Sequence, residues 1–304
     1  MTKKIWRIFF LMLLVFFTFL LKLPVEALMI SPAVKQLYVK PGDQVVEIVT
    51  VANEEDRKIT LFPVVENFKP KDTHGTPEFL GDTDPEGAAR WIQLPFKNVE
   101  LAPKERKDFL FKINIPKWAR PGGHYAALFW KIETNKQSDV VSVSRVGSLF
   151  LFGVAGAMTG EMKMSDASVV KNKNGGVEGF SVSIENKSNI HIAPKGRIEI
   201  YNFFGKRVAD IPLNVEEKNV LAQSKRIFFE KWGKSYNSWW KLHARVKSEF
   251  GFNFSAEEKD LVFYNLPRFA GIKILIALII IIFAARKIYQ RKRLKKEHGL
   301  ILGS

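Results

Sequence analysis

Between residues 28 and 266 the hydrophobic positions fall in short runs that alternate with polar ones, and no long helical periodicity appears. "ERKDFLFKINIP" sets Phe109, Phe111, Ile113 and Ile115 against Asp108, Leu110, Lys112 and Asn114. A period of two with one wet side predicts a half-buried strand. "QLYVKPGDQVVEIVTVANEEDRKITLFPVVEN" reads as three strands joined by a Pro-Gly-Asp turn and a polar turn, with Val46, Ile48 and Val51 placed toward a core. "SVSRVGSLFLFGVAG" is nearly all apolar, as expected of a strand buried on both faces or lying under the domain junction. From Glu161 the pattern restarts. A hairpin is predicted around Asn174-Gly175-Gly176 and another around Phe204-Gly205-Lys206, followed by "RIFFEKW", "WWKLHARVKSEF" and "DLVFYNL". About seven runs in each half predict an all-β protein of two consecutive immunoglobulin-like β-sandwiches, over 28–157 and 158–266.

The flanks read differently. Lys3, Lys4 and Arg7 precede an apolar run from Ile8 to Leu21, and Val25-Glu26-Ala27 offers small residues for cleavage, so 1–27 reads as a signal peptide. Phe269 to Ala285 is a second apolar run, expected to be a transmembrane helix over 267–288. The "RKIYQRKRLKK" that follows makes 289–304 a basic cytoplasmic tail by the positive-inside rule. The expectation is therefore a single-pass, type I membrane protein with an extracellular ectodomain.

Charge adds little beyond this. Of the formal net charge of +16, the first 27 residues hold +3 (four Lys/Arg less Glu26) and the tail after Ala285 holds +6 (seven less Glu297), leaving +7 for the rest. More than half of the excess is topogenic, and no nucleic-acid partner is called for. The absence of cysteine argues for a bacterial surface and excludes thiol nucleophiles and zinc knuckles.

Candidate chemistry is sparse. The five histidines show no paired metal spacing. "DTDPEGAARWIQ" imitates a calcium loop at Asp82, Asp84, Glu86 and Gly87, but Gln93 stands where a bidentate Glu is needed. No cofactor and no catalytic residue is assigned, and the expected function is binding. In "NIPKWARPGGHYAALFW", Pro116 and Pro121 forbid regular helix and Gly122-Gly123 allow a tight connection into a strand. A Gly-rich turn beside aromatics is where a sandwich presents a stacking surface, so Trp118, His124 and Tyr125 are the candidate ligand-binding residues.

The strings "PGGHYAAL" and "SNIHIAPKGRIEIYNFFG", with "ISPAVKQLYVKPGDQVVEIVTVANEED" and "SRVGSLFLFGVAG", resemble the WxL-interacting surface proteins of bacteria and their membrane-anchored relatives. The resemblance covers nearly all of the predicted ectodomain. It implies a non-catalytic cell-envelope protein that contacts peptidoglycan with its first domain and a surface partner protein with the second. The first strands are also similar to periplasmic pilus chaperones. The rival reading is a chaperone-like assembly or secretion accessory that binds a client by β-strand addition, which an unpaired "SLFLFGV" edge would favour.

Overall fold

The structure, a computed structural model, describes residues 28–81, 84–132, 145–233, 238–251, 255–265 and 270–301. The expected signal peptide lies outside the described residues. Among the described residues the fold is all-β apart from a 3₁₀ turn at Ala88–Trp91 and one helix, here α1, at Ala270–Ile301. Its contacts divide the chain into two units that meet in sequence at Met158 and Thr159, with the short segment Asp72–Thr76 counted in the second.

Unit one is a two-layer sandwich. One sheet runs β1 (Leu28–Ser31), β3 (Gln44–Asn53), β8 (Arg106–Asn114) and β6 (Ile92–Gln93). The other runs β2 (Val34–Val39), β10 (Arg145–Val154), β9 (Gly122–Ile132), β4 (Ile59–Pro70) and β5 (Pro77–Gly81), with β7 (Val99–Leu101) also on β4. In β8, Phe109, Phe111 and Ile113 turn inward onto Trp130 of β9, as the period of two requires. Strand β3 bears out the expected inward Val51 but reverses Val46 and Ile48. Val49 and Val51 are buried, while Val46 and Ile48 face solvent. "VVEIVTV" offers apolar side chains on both parities, and the register with β8 decides, since it sets Val49 opposite Phe109 and Glu47 opposite Phe111. Glu47 therefore points inward, where it meets Lys35 of β2 at 2.7 Å.

The segment "SLFLFGV" is not an open edge. It forms most of β10, paired antiparallel with β9 on one side and parallel with β2 on the other, with Phe150 and Phe152 fully buried. The chain achieves this by switching sheets: β1 pairs with β3, and after Ser31-Pro32 the next strand, β2, crosses to cover β10.

Unit two pairs a three-stranded sheet, β11 (Met162–Lys171), β12 (Val177–Asn186) and β15 (Ser224–Lys231), with a four-stranded one, β14 (Arg207–Leu213), β13 (Lys195–Tyr201), β16 (Ser238–Glu249) and β17 (Glu257–Asn265). Both predicted hairpins form, with Gly175 and Gly205 at the positive φ their turns require. The core gathers Phe180, Ile184, Ile198, Leu242 and Val246, closed by Trp232.

The two units repeat one device that pattern reading misses. Asn53, at the end of β3, donates from Nδ2 to the carbonyls of Arg57 (2.9 Å), Leu101 (3.4 Å) and Ala102 (2.8 Å), and its Oδ1 accepts from Glu55 N (3.0 Å). Asn186, at the end of β12, donates to Ile190 (2.7 Å), Val220 (3.0 Å) and Leu221 (3.1 Å), and accepts from Ser188 N (2.9 Å). Both side chains are fully buried. In each unit a residue with positive φ, Lys104 or Gln223, then donates its N–H to the residue two beyond the pinning Asn. A buried amide that satisfies this many main-chain groups fixes where two loops meet.

Helix α1 corrects the expected topology. Among the described residues no helix is long and apolar enough to cross a membrane. The apolar stretch free of charge runs only from Ile274 to Ala285, twelve residues between Lys273 and Arg286, short of the roughly 20 a span needs. The transmembrane helix over 267–288, and the single-pass type I placement built on it, are not sustained.

Candidate interaction edge

The three candidate residues occupy the turn before β9 and the two faces of β9 itself. Trp118 sits on the turn opened by Pro116, whose carbonyl accepts from Ala119 N, and is 59% exposed. His124 and Tyr125 follow one another in β9 and so leave opposite faces of the sheet. The His124 ring packs toward the core against Trp91 (4.8 Å between centroids), and its Nε2 lies 2.8 Å from the Arg120 carbonyl, which it pins to the strand start. Tyr125 packs on the other face against Phe68 at 5.5 Å. That face continues through Phe79 and Phe129 (4.7 Å) to Arg145, whose guanidinium lies 4.2 Å from the Phe129 centroid and bonds Glu66 at 2.8 Å. Gly147 makes room for this layer, because a Cβ there would lie 2.5 Å from Phe129 Cδ1. "PGGHY" is thus a turn feeding a strand, with His124 and Tyr125 committed to packing on its two sides.

What the sheet does present is an edge. Among the described residues β2 has a neighbour, β10, on one side only. Leu149 N donates to Ala33 O and Ala155 N to Val39 O, so the odd-numbered residues from 33 to 39 turn their main-chain groups toward β10. By the alternation of a parallel ladder, the N–H and C=O of Val34 and Gln36 point the other way, out of the sheet. The side chains alternate too. Lys35 and Leu37 lean inward, and Val34, Gln36 and Tyr38 face solvent. Edge strands are usually guarded by outward charge. Here the one charged residue of β2, Lys35, is turned in and bound to Glu47, so the solvent side of the edge carries none. Partial burial raises the Tyr38 phenol above its ordinary value, although the residue as a whole is 59% exposed.

Unit two holds a cleft of about 150 Å³ lined by Asn214, Glu216, Lys218, Arg226, Phe229 and Glu230. Its charges are spent internally: Lys218 binds Glu216 at 2.7 Å, Glu230 Oε1 accepts from Asn214 N, and Arg226 donates to the Asn219 carbonyl. Burial lowers the Arg226 pKa against the opposing pull of Asp72 and Glu216. No cluster of three or more His, Cys, Asp or Glu that could hold a metal ion occurs among the described residues, and Asp82 of the calcium-like stretch lies outside them.

No protein-family model matches the chain, and no curated protein matches it. Solved structures similar to it include the class 5 fimbriae chaperone CfaA (12% identity, 79% of this chain and 100% of that one, TM-score 0.39). The E. coli chaperone DraB is similar at 14% identity (78% and 98%, TM-score 0.35). So is a PapD-like domain of human CEP192 at 13% (45% and 90%, TM-score 0.30). The sandwich architecture rests on the sheets themselves. With no described helix long and apolar enough to cross a membrane, the expectation of an anchored cell-surface protein, and the binding of peptidoglycan and a surface partner protein built on that placement, is overturned.

The edge was the feature sequence reading missed. Its signal is present in "VKQLYVK", where the single Lys of the strand falls on the same parity as Leu37 and Val39, the inward set.

Proposed function

We propose that the chain is a non-catalytic, chaperone-like binding protein whose first unit takes an extended segment of a client protein by β-strand addition along the outer edge of β2. The observation that carries the reading is the uncharged edge itself: Val34 and Gln36 direct main-chain donors and acceptors outward, while Lys35 is turned away to Glu47. In strand addition the main chain supplies affinity, and alternate side chains, here Val34 and Tyr38 with Gln36 between, supply selectivity. Strand β10, the more apolar segment, serves as the buried support on which β2 is registered.

Proline at position 36 separates this reading from mere stickiness. Gln36→Pro removes an outward N–H and leaves the β2–β10 ladder intact, because edge strands tolerate Pro where the N–H faces solvent. Arrayed peptides of alternating apolar and polar residues are the probe. The expected result is binding that slows amide exchange at Val34 and Gln36 in the parent chain and is lost in Gln36→Pro with the circular dichroism unchanged. Binding that survives Gln36→Pro, or that leaves those amides unprotected, overturns it.

A further inference from the structure

Unit two carries three aromatic side chains that its core does not use. Phe203 and Phe204 sit on the turn between β13 and β14, and Trp240 lies near the start of β16. They are 57%, 79% and 59% exposed, yet they touch one another: Phe203 meets Phe204 edge-on at 5.5 Å and Trp240 at 5.4 Å with a 32° tilt. Two independent features hold them out. The turn is pinned by Asn202, whose Oδ1 accepts from Phe204 N and Lys206 N at 3.0 Å each, while its backbone exchanges bonds with Lys206 and Gly205. In β16 the register slips between Ser238 and Leu242, and Trp240 N donates to Ser238 Oγ, so Trp240 is aimed outward beside Phe203. A bulge that re-aims one side chain is a recurrent device beside functional sites. Clustered, immobilised aromatics lose little freedom when they are covered, which is the profile of an interface anchor.

The charges around the ridge indicate what covers it. Lys206 is on the same turn and Lys241 follows Trp240, and both are exposed. Of the carboxylates of this sheet, Glu199 is bound by Arg207 and Lys247, Asp210 by Arg207 and Arg197, and Asp260 by Arg245. Among the described residues, that leaves the two lysines flanking the ridge with no carboxylate. We infer that the Phe203–Phe204–Trp240 ridge is a docking surface for an acidic polypeptide segment bearing proline or aromatic rings, the rings lying on the ridge and the carboxylates reaching Lys206 and Lys241. A single-stranded nucleic acid, the other common partner of aromatics and lysines, needs faces on which successive bases stack. Here the Phe203 and Phe204 planes stand at 84°.

The test uses the full chain and a dye-labelled peptide of repeated Glu-Pro-Phe-Pro, read by fluorescence anisotropy, with a Lys-Pro-Phe-Pro peptide and an oligothymidylate as comparators. Binding of the acidic peptide is expected to fall about tenfold in Phe203→Ala and in Trp240→Ala. It is also expected to fall with rising salt and in the double variant Lys206→Gln/Lys241→Gln. Phe203→Leu, which keeps bulk without the ring, controls for folding and is also expected to weaken binding. Preference for the lysine peptide or the oligothymidylate, equal binding by Trp240→Ala, or no binding of the acidic peptide overturns the proposal.

Discussion

Replacing Asn186 by alanine tests whether the repeated Asn device holds unit two together. In the native chain its Nδ2 serves three main-chain carbonyls and its Oδ1 accepts from Ser188 N and, at 2.6 Å, Ser188 Oγ. The alanine leaves these groups in a fully buried site. The damage is softened where a second donor remains: Ile190 O also accepts from Ser188 Oγ, Val220 O from Ile192 N, and Leu221 O from Ser224 Oγ. The Ser188 N–H and hydroxyl left without Asn186 Oδ1, together with the weakened carbonyls, sum to about 3 kcal/mol, at roughly 1–3 kcal/mol per unsatisfied buried group. For a domain of this size that corresponds to a fall in Tm of about 15 °C. Denaturant melts followed by Trp232 fluorescence should show the unit-two transition shifted to lower denaturant with unchanged slope. Asn186→Asp should be worse at neutral pH and improve in acid. A carboxyl facing three carbonyls has its folded pKa raised, so its penalty is smallest below the unfolded value near ~4 and grows as pH rises through it. A loss under about 1 kcal/mol in Asn186→Ala, or no pH dependence in Asn186→Asp, would refute the reasoning.

Two further predictions concern single residues. His191 is fully buried and burial lowers its pKa to about 4. The unfolded chain therefore binds a proton that the folded one refuses, and stability should decline from about pH 6.5 down to 4, by about 3 kcal/mol in all; equilibrium melts across that range should show the slope, and His191→Leu should flatten it. Gly147→Ala places a methyl against the Phe129 ring and 3.0 Å from Leu128 O, so it should destabilise unit one by about 1–3 kcal/mol, with Arg145 losing its stacked position; a change within 0.5 kcal/mol would show that the layer yields freely.

Much of the fold was legible because several strands carry most of their apolar residues on one parity. Phe109, Phe111 and Ile113 alternate with Asp108, Leu110 and Lys112, and no second solution exists. Strand β3 was ambiguous for the opposite reason, and only a contact some sixty residues away selected Val49 over Ile48. "SLFLFGV" shows a related gap: apolarity reveals that a strand is covered but not by what, and its cover, β2, lies far off in sequence. The Asn pair had a trace in "VANEED" and "IENKSN", each a polar turn after an apolar run, and in the later "LAPK" and "LAQS". Periodicity weighs side chains and is blind to an amide that bonds backbone. For the candidate residues, adjacency in sequence sets His124 and Tyr125 on opposite faces of β9, a placement that a motif read as one string does not reveal.

The crossing of β2 onto β10 also sets an order of events in time. Val34 lies opposite Leu149, a separation of 115 residues, and the pairing is parallel. During synthesis β2 emerges early and waits for its partner, while β3, β4, β8 and β9 are already available to collapse. The last step in closing unit one is therefore a long-range docking, slow by the rule that distant contacts are costly to bring together. Unit two begins instead with the local β11–β12 hairpin and needs no such wait. A nascent chain that has not yet released β10 from the ribosome is an unsealed half-sandwich, and that interval is when unit one is most exposed to proteolysis and misassociation.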